Sequence, residues 1–268
     1  MAIVWTGLRI PPPASLRPAR EAAHYALDRV ARAARANVAP QPDDSHTALT
    51  WDTSREALMS AAGAGLHLAS LSLLFVRGGK EERLALEGQR AKDADAWLDA
   101  RLAAAGLRPA SAIKLPYETP ARPFHAEPAQ ALALARWFGA ASELFREVRR
   151  RYAAYRPGPG AAVVWPHHFD MAVLVRFEEG AGEAAKSIGI GLSPGDHYYE
   201  QPYLYVSAYP PPKKAKAPKL PPGGHWHTKD FVGAVATADE VLAQKDPRAA
   251  ALAVIDAAFA AGKGWLHV

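Results

Sequence analysis

Pro128 opens a stretch in which Trp137, Ala141, Leu144, Val148, Tyr152 and Tyr155 recur at helical spacing, backed by Phe138 and Phe145. Proline suits the first turn of a helix, where its missing N–H has no intrahelical partner to lose. The run Pro157-Gly158-Pro159-Gly160 then stops the helix, because neither residue type sustains one. Behind that stop come strand candidates at 162–165, 172–177, 187–192, 203–209 and 231–236, with no long helix between them. A parallel sheet needs a crossover helix after almost every strand, so this order predicts antiparallel pairing and an α+β class.

The first part of the chain has the same ingredients. A helix is expected over 19–37, with Ala23, Leu27, Val30 and Ala34 on its apolar stripe and Arg20, Glu21, Asp28 and Arg32 elsewhere on the wheel. Residues 40–44 stop it, and a short strand follows at 47–51. A longer strand at 66–76 and a second at 83–87 read as a hairpin around Gly78-Gly79. Asp93 is placed to cap a helix carrying Ala94, Trp97, Leu98, Leu102 and Ala105, which Gly106 ends. A Pro-punctuated connection occupies 109–123, and the last helix has Asp246 as N-cap, Pro247 in its first turn, a stripe of Leu252, Ile255 and Phe259, and Gly262 as its stop.

The order is thus helix, strands, helix, twice over, and one strand in each part ends in tryptophan, Trp51 and Trp165. Two similar helix–antiparallel sheet–helix halves are expected, 1–125 and 126–268, packed as one compact unit with the functional surface in the second. Internal duplication and chance repetition in a Pro- and Ala-rich chain both account for the pattern.

The 268 residues include no cysteine, which removes a disulfide framework, a thiol nucleophile, a Cys-ligated zinc site and an iron–sulfur cluster. The net charge is +5. Arg146, Arg149, Arg150, Arg151 and Arg156 read as the solvated flank of the long helix, and Lys213, Lys214, Lys216 and Lys219 as an exposed Pro-rich loop. No nucleic-acid motif accompanies them, so nucleic acid is not an expected partner. The N-terminus lacks the ordered parts of a secretory signal. The longest apolar run, 249–261, is broken by Asp256 and is short for a bilayer, so a cytoplasmic protein without membrane association is expected.

Gly191-Leu192-Ser193-Pro194-Gly195 satisfies the G-x-S-x-G pattern of serine hydrolases. An elbow of that kind needs a backbone N–H after the serine and a helix behind it; Pro194 has none, and another strand follows, so a turn is expected. Gly189, Gly191 and Gly195 form no dinucleotide fingerprint for the same lack of a helix. They leave one strand face bare, open to a backbone, a ring or a ligand. In an extended Trp165-Pro166-His167-His168-Phe169-Asp170, His168 and Asp170 project to one side. Together with His225 and His227, they have ligand types suited to a divalent metal such as zinc, whereas the plainer reading has these histidines bonding backbone groups in a polar pocket. Tyr203, Tyr205 and Tyr209 share one strand face with Ser207, and Asp196, His197 and Glu200 just before them add carboxylate and imidazole for acid–base work. Five of the nine tyrosines fall within 198–209 and five of the ten histidines within 167–227, which concentrates the chemistry there.

The segments WPHHFDMAVLVRF (165–177), SIGIGLSPGD (187–196), EQPYLYVSAYP (200–210) and GHWHT (224–228) resemble a group of uncharacterised bacterial proteins. More distantly, the chain is similar to a domain-of-unknown-function family with a W-G-S-F-D-L-A segment followed by an E-P-x-F-Y strand. Trp165, Phe169, Asp170 and Ala172 match the first motif; Glu200, Pro202 and Tyr205 match the second, with Gln201 inserted, and 66–107 is similar to that family's hairpins and following helix. The distant family has Gly-Ser where this chain has Pro166, His167 and His168, so a site using His168 belongs to the nearer group alone. The resemblance implies no activity.

The function expected from these residues is binding of a small polar ligand in an aromatic, His-lined cleft of the second half, formed by Trp165, His168, Asp170, Glu200, Tyr203, Tyr205, His225, Trp226 and His227. The alternatives are a protein–protein interaction module without catalysis and a metal-dependent hydrolase using His168, Asp170, His225 and His227. No cofactor is identified beyond that candidate metal, and the sequence sets no oligomeric state.

Overall fold

The computed structural model describes residues 5–179, 185–212 and 217–268, apart from the side chain of residue 6. The expectation of an exposed loop at Lys213, Lys214 and Lys216 lies outside them. The helices are α1 (Arg17–Asn37), α2 (Ala91–Ala104), α3 (Pro128–Arg151), α4 (Ala238–Leu242) and α5 (Pro247–Leu266). The first strands are β1 (Thr50–Asp52), β2 (Ala57–Met59), β3 (Ala64–His67), β4 (Ser72–Arg77) and β5 (Lys80–Ala85). The later ones are β6 (Gly158–Pro159), β7 (Val163–Trp165), β8 (Asp170–Arg176), β9 (Ser187–Ser193), β10 (Tyr203–Tyr209), β11 (His225–His227) and β12 (Gly233–Thr237). Helices and antiparallel sheets make the chain α+β.

Two compact units interleave along the sequence: one takes Ser15–Gly139 and Val163–Phe169, the other Met1–Ala14, Ala140–Ala162 and Asp170–Val268. We refer to them as the α1 unit and the α5 unit. Residue 125 falls inside the α1 unit, and α3 supplies its first half to that unit and its second half to the other. The topology does not confirm the repeat read from the sequence. The α1 unit holds a meander ordered β1-β2-β3-β4-β5, the α5 unit a sheet ordered β11-β12-β10-β9-β8-β6.

In the α1 unit, the single strand expected over 66–76 is two strands. Leu71, with a φ of 43°, turns the chain back between β3 and β4, and His67 Nδ1 accepts from Ser70 N to hold the turn. The next hairpin is as expected: Gly78 and Gly79 both have positive φ, the geometry of a two-residue turn matching strand twist. Helix α2 starts at Ala91 without a side-chain cap. Asp93 sits inside the first turn, where Arg90 Nε donates to its carboxylate at 2.6 Å.

Helix α1 departs most from its wheel. Its stripe is buried, and so are Arg20, Asp28 and Arg29 on what should be the polar side. The irregular segment behind α2 covers that side. Arg32 donates to Ser111 O at 3.1 Å, Asn37 exchanges hydrogen bonds with the backbone of Arg108, Thr119 Oγ1 donates to Asp28, and Phe124 stacks on Tyr25.

In the α5 unit, Leu204, Val206, Ala208, Ile188, Ile190, Leu192, Val173 and Val175 are buried on one sheet face. Helix α5 lies against β10, β12 and β9 there. It begins as expected, with Asp246 accepting from Ala249 N at 3.0 Å ahead of Pro247. Gly262 does not end it. A Cβ there would meet Ile188 Cδ1 at 2.9 Å, so the glycine lets helix and sheet approach, and the helix runs on to a left-handed cap at His267. By length and composition α5 is apolar enough to cross a membrane, which corrects the shorter span read from the sequence; here its apolar side packs on the sheet as a core helix does. Asp256, which interrupts the apolar run, accepts from Tyr152 Oη at 2.8 Å and pairs with Arg151.

Candidate functional site

Pairing sets the two faces of the α5-unit sheet apart. Tyr203 lies opposite Ser193 and Thr237, and Tyr205 opposite Gly191 and Val235, while His225 lies opposite Val235 and His227 opposite Gly233. Directly paired residues of antiparallel strands share a face. The tyrosines of β10, the glycines of β9 and both histidines of β11 therefore project away from α5. The face left bare by Gly189 and Gly191 is filled by rings of the chain itself. A Cβ on Gly191 would collide with the ring and hydroxyl of Tyr205.

Tyr205 Oη donates to Asp170 Oδ2, and Tyr203 Oη donates to Asp196 Oδ2 at 2.6 Å. Asp196 also organises the turn before β10, accepting from Tyr198 N at 2.8 Å and Tyr199 N at 3.3 Å. Ser193 belongs to the same turn: Gly195 N donates to its Oγ at 3.2 Å, and its hydroxyl faces Asp196 Oδ2 at 3.4 Å. The G-x-S-x-G match is thus a strand end and turn leading into β10.

That turn places Tyr199 between two imidazoles. Its hydroxyl lies 2.9 Å from His225 Nε2 and 2.8 Å from His227 Nδ1. His225 Nδ1 lies 2.8 Å from Glu240 Oε1, and His227 Nε2 contacts the Lys229 carbonyl. Glu240 is held from its other oxygen, which accepts from Thr237 N at 2.9 Å and Thr237 Oγ1 at 2.8 Å in the capping box of α4. The His225 and Glu240 side chains are 38% and 36% exposed, so that end of the chain of bonds is open to a ligand.

A proton count shows what this arrangement can do. Glu240 Oε1 and the Lys229 carbonyl are acceptors at the two ends, so the four links need four protons. Neutral His225, neutral His227 and Tyr199 bring three between them. One of the four links is therefore left open, and a ligand contributing a donor or acceptor redistributes the set. Burial, then the Glu240 and Asp196 carboxylates, push the Tyr199 hydroxyl above its ordinary range. Burial and Asp196 do the same for Tyr203; burial and Asp170 raise Tyr205 further. All three phenols remain donors at neutral pH.

The sequence-predicted residues divide between the two units. Asp170, Tyr203, Tyr205, His225 and His227 belong to the α5 unit's sheet, whereas Trp165 and His168 belong to the α1 unit. The segment 165–170 is not extended. His168 N and Phe169 N both donate to Trp165 O, and Phe169 has a φ of 56°, so the alternation expected to align His168 with Asp170 does not exist. Phe169 is buried between His24 and Phe138, each with its ring centroid 5.2 Å away. Burial and the neighbouring His168 lower His167 to a pKa of about 4. Glu200 is exposed on the turn before β10. Trp226 lies on the opposite face from its two histidine neighbours, beside Trp265 of α5 at 5.1 Å.

Among the described residues no group of three or more His, Asp or Glu side chains is placed to hold a metal ion, so the tetrad of His168, Asp170, His225 and His227 is not assembled. Two central residues were not singled out from sequence, Tyr199 and Glu240. Glu240 was legible as the fourth residue of Thr237-Ala238-Asp239-Glu240, a capping-box pattern; nothing local to Tyr199 marks it. No protein-family model, no curated protein and no solved structure matches the chain.

Proposed function

We propose that the protein binds a small polar ligand on the tyrosine and histidine face of the α5-unit sheet. The observation that carries this reading is the hydrogen-bonded series Glu240–His225–Tyr199–His227, half-exposed and able to rearrange its protons around a guest. The opposite, apolar face of the same sheet already has its partner in α5. Aromatic rings and a few oriented polar groups are the usual lining of a small-molecule site. Tyr198, His227 and Phe231 extend the surface, with His227 stacked on Phe231 at 4.1 Å. A cytoplasmic setting, and kinship with the bacterial group sharing the WPHHFD and GHWHT segments, belong to the same proposal.

The test is a thermal-shift and calorimetric screen of a nucleoside, a sugar phosphate, a dicarboxylate, a polyol and an amino acid against wild type and Tyr199→Phe. Loss of one hydrogen bond in the site corresponds to roughly tenfold weaker binding. Stabilisation of wild type by one of these classes, weakened to that extent in Tyr199→Phe, is the expected result. Failure of every class, or equal binding by wild type, Tyr199→Phe and His227→Ala, overturns the reading.

A further inference from the structure

The two ends of the series Glu240–His225–Tyr199–His227 fix how its protons lie. Glu240 Oε1 and the Lys229 carbonyl only accept, so His225 carries its proton on Nδ1 and His227 on Nε2. The inner nitrogens, His225 Nε2 and His227 Nδ1, are then bare bases, and both face the Tyr199 hydroxyl, at 2.9 Å and 2.8 Å. The phenol has one proton for the two of them. Whichever imidazole receives it, a base stands on each side of Tyr199 Oη, within the roughly 2.6–3.2 Å that proton transfer needs. Glu240 Oε1 holds His225 from behind at 2.8 Å and is itself fixed by Thr237. A hydroxyl, a base in hydrogen-bond reach and a third group orienting that base are the parts of an activated nucleophile. Tyr199 is half-exposed and less enclosed than Tyr203 or Tyr205, whose hydroxyls are spent on carboxylates.

The charges around the phenol select the electrophile. The Glu240 and Asp196 carboxylates both bear on Tyr199. Among the described residues neither is bonded to a lysine or arginine: Glu240 meets His225 and Thr237, and Asp196 meets Ser193, Tyr203 and the backbone of its own turn. Lys229 meets the series through its backbone carbonyl. A phosphate ester, being anionic, is therefore repelled, whereas a neutral carbonyl carbon is not. The rings of Tyr198 and Phe231 flank His227, which gives the body of such an ester apolar surface beside the hydroxyl.

We infer that Tyr199 is a nucleophile that takes the acyl group of neutral esters, with His225 and His227 as its bases. Tyr199 Oη bonds to the carbonyl carbon while its proton passes to the imidazole nitrogen it faces. The ester C–O bond breaks, and the alcohol leaves with that proton. Water then attacks the O-acyl tyrosine, giving a proton to the same nitrogen, which returns it to the phenol as the carboxylic acid departs. The net change is ester plus water to acid plus alcohol. The inference rests on the tyrosine and histidine face being the working surface, and needs no particular ligand to be bound there.

The probe is p-nitrophenyl acetate, incubated with the full chain and quenched at intervals, with peptide mass spectrometry reading acetylation at each tyrosine. Tyr198 and Tyr209 are half-exposed like Tyr199 and serve as internal references. Tyr199 should be acetylated about tenfold faster than either, or more, and p-nitrophenyl phosphate should leave it unmodified. His225→Gln combined with His227→Gln removes both bases and should slow Tyr199 about a hundredfold, the lower end of what a general base contributes. Tyr209 should react at its wild-type rate in that variant, which shows the fold intact. Glu240→Gln should slow Tyr199 about tenfold in the wild-type background and have no effect once His225 is Gln, because it acts through that ring. Acetylation of Tyr199 no faster than Tyr198 and Tyr209 overturns the inference. So does an unchanged rate in the double variant, or transfer from the phosphate ester. The ligand screen and this assay fail separately, since acetylation requires no cognate guest.

Discussion

Asp28→Asn is expected to make the protein more stable at neutral pH. Burial raises the Asp28 carboxyl from 3.8 to about 6, more than the opposing effects of Thr119, Arg29 and Arg32 lower it. A carboxyl whose folded pKa lies above its unfolded value binds protons more tightly when folded. Its stabilising contribution is therefore complete below about pH 4 and is lost as pH rises through about 6. A shift of roughly 2 units corresponds to about 3 kcal/mol, a ceiling that backbone relaxation and water entry reduce. Asparagine has nearly the same shape, can still accept from Thr119, and does not titrate. The difference between variant and wild type should be near zero at pH 4 and grow to about 1–3 kcal/mol in favour of the variant at pH 7.5. Urea unfolding followed by tryptophan fluorescence at intervals of pH measures it, and comparing the two proteins cancels every other titrating group. A variant less stable than wild type at pH 7.5, or a difference that does not change with pH, refutes the reasoning that Asp28 is a buried carboxylate held at a cost.

Gly191→Ala should cost about 3 kcal/mol, combining overpacking with the displaced Tyr205–Asp170 hydrogen bond. In thermal unfolding its effect should be less than additive with Tyr205→Val, which removes the colliding ring. Thr237→Ala should lose about 1 kcal/mol as the N-cap of α4 goes. It should also weaken any ligand that depends on Tyr199, because Glu240 loses the Thr237 Oγ1 bond that helps aim it at His225 while keeping the one from Thr237 N. In an NMR titration the His167 ring should stay neutral down to about pH 5, with its midpoint near 4 as burial dictates; a midpoint near the ordinary histidine value of about 6.5 contradicts the burial assigned to it.

The parts of the fold legible in the sequence were those whose cause is local. Strand β10 coincides with the alternation of Tyr203, Tyr205, Ser207 and Tyr209, and α5 begins at the Asp246-Pro247 signal. The Gly78-Gly79 hairpin follows from the backbone freedom of two glycines. Other local signals had two meanings, and only packing chose between them. Gly262 reads as a helix stop, yet it is the point of contact with Ile188. The run 66–76 reads as one strand because, His67 apart, its residues are apolar or small, and nothing in that pattern reveals the reversal at Leu71. Of the candidate site residues, Tyr203, Tyr205, His225 and His227 share one sheet face, and Asp170 is bonded to Tyr205 there. Trp226 adjoins the two histidines in sequence but lies on the other face beside Trp265, because adjacent strand residues point to opposite faces.

By itself the sequence determined the α+β class, the absence of thiol chemistry, most element positions and the alternation that puts phenols on one side of a strand. These depend on backbone preferences and periodicities that act over a few residues. The tertiary structure alone decided which polar groups would be enclosed and which would meet. Thr119 reaches Asp28 across 91 positions, and Tyr199 meets His227 across 28. Local periodicity carries no record of such pairings. Asp28 has the pattern of a solvated helix residue until a later segment folds over it, and Tyr199 is one phenol among five until strand pairing brings two imidazoles to its hydroxyl.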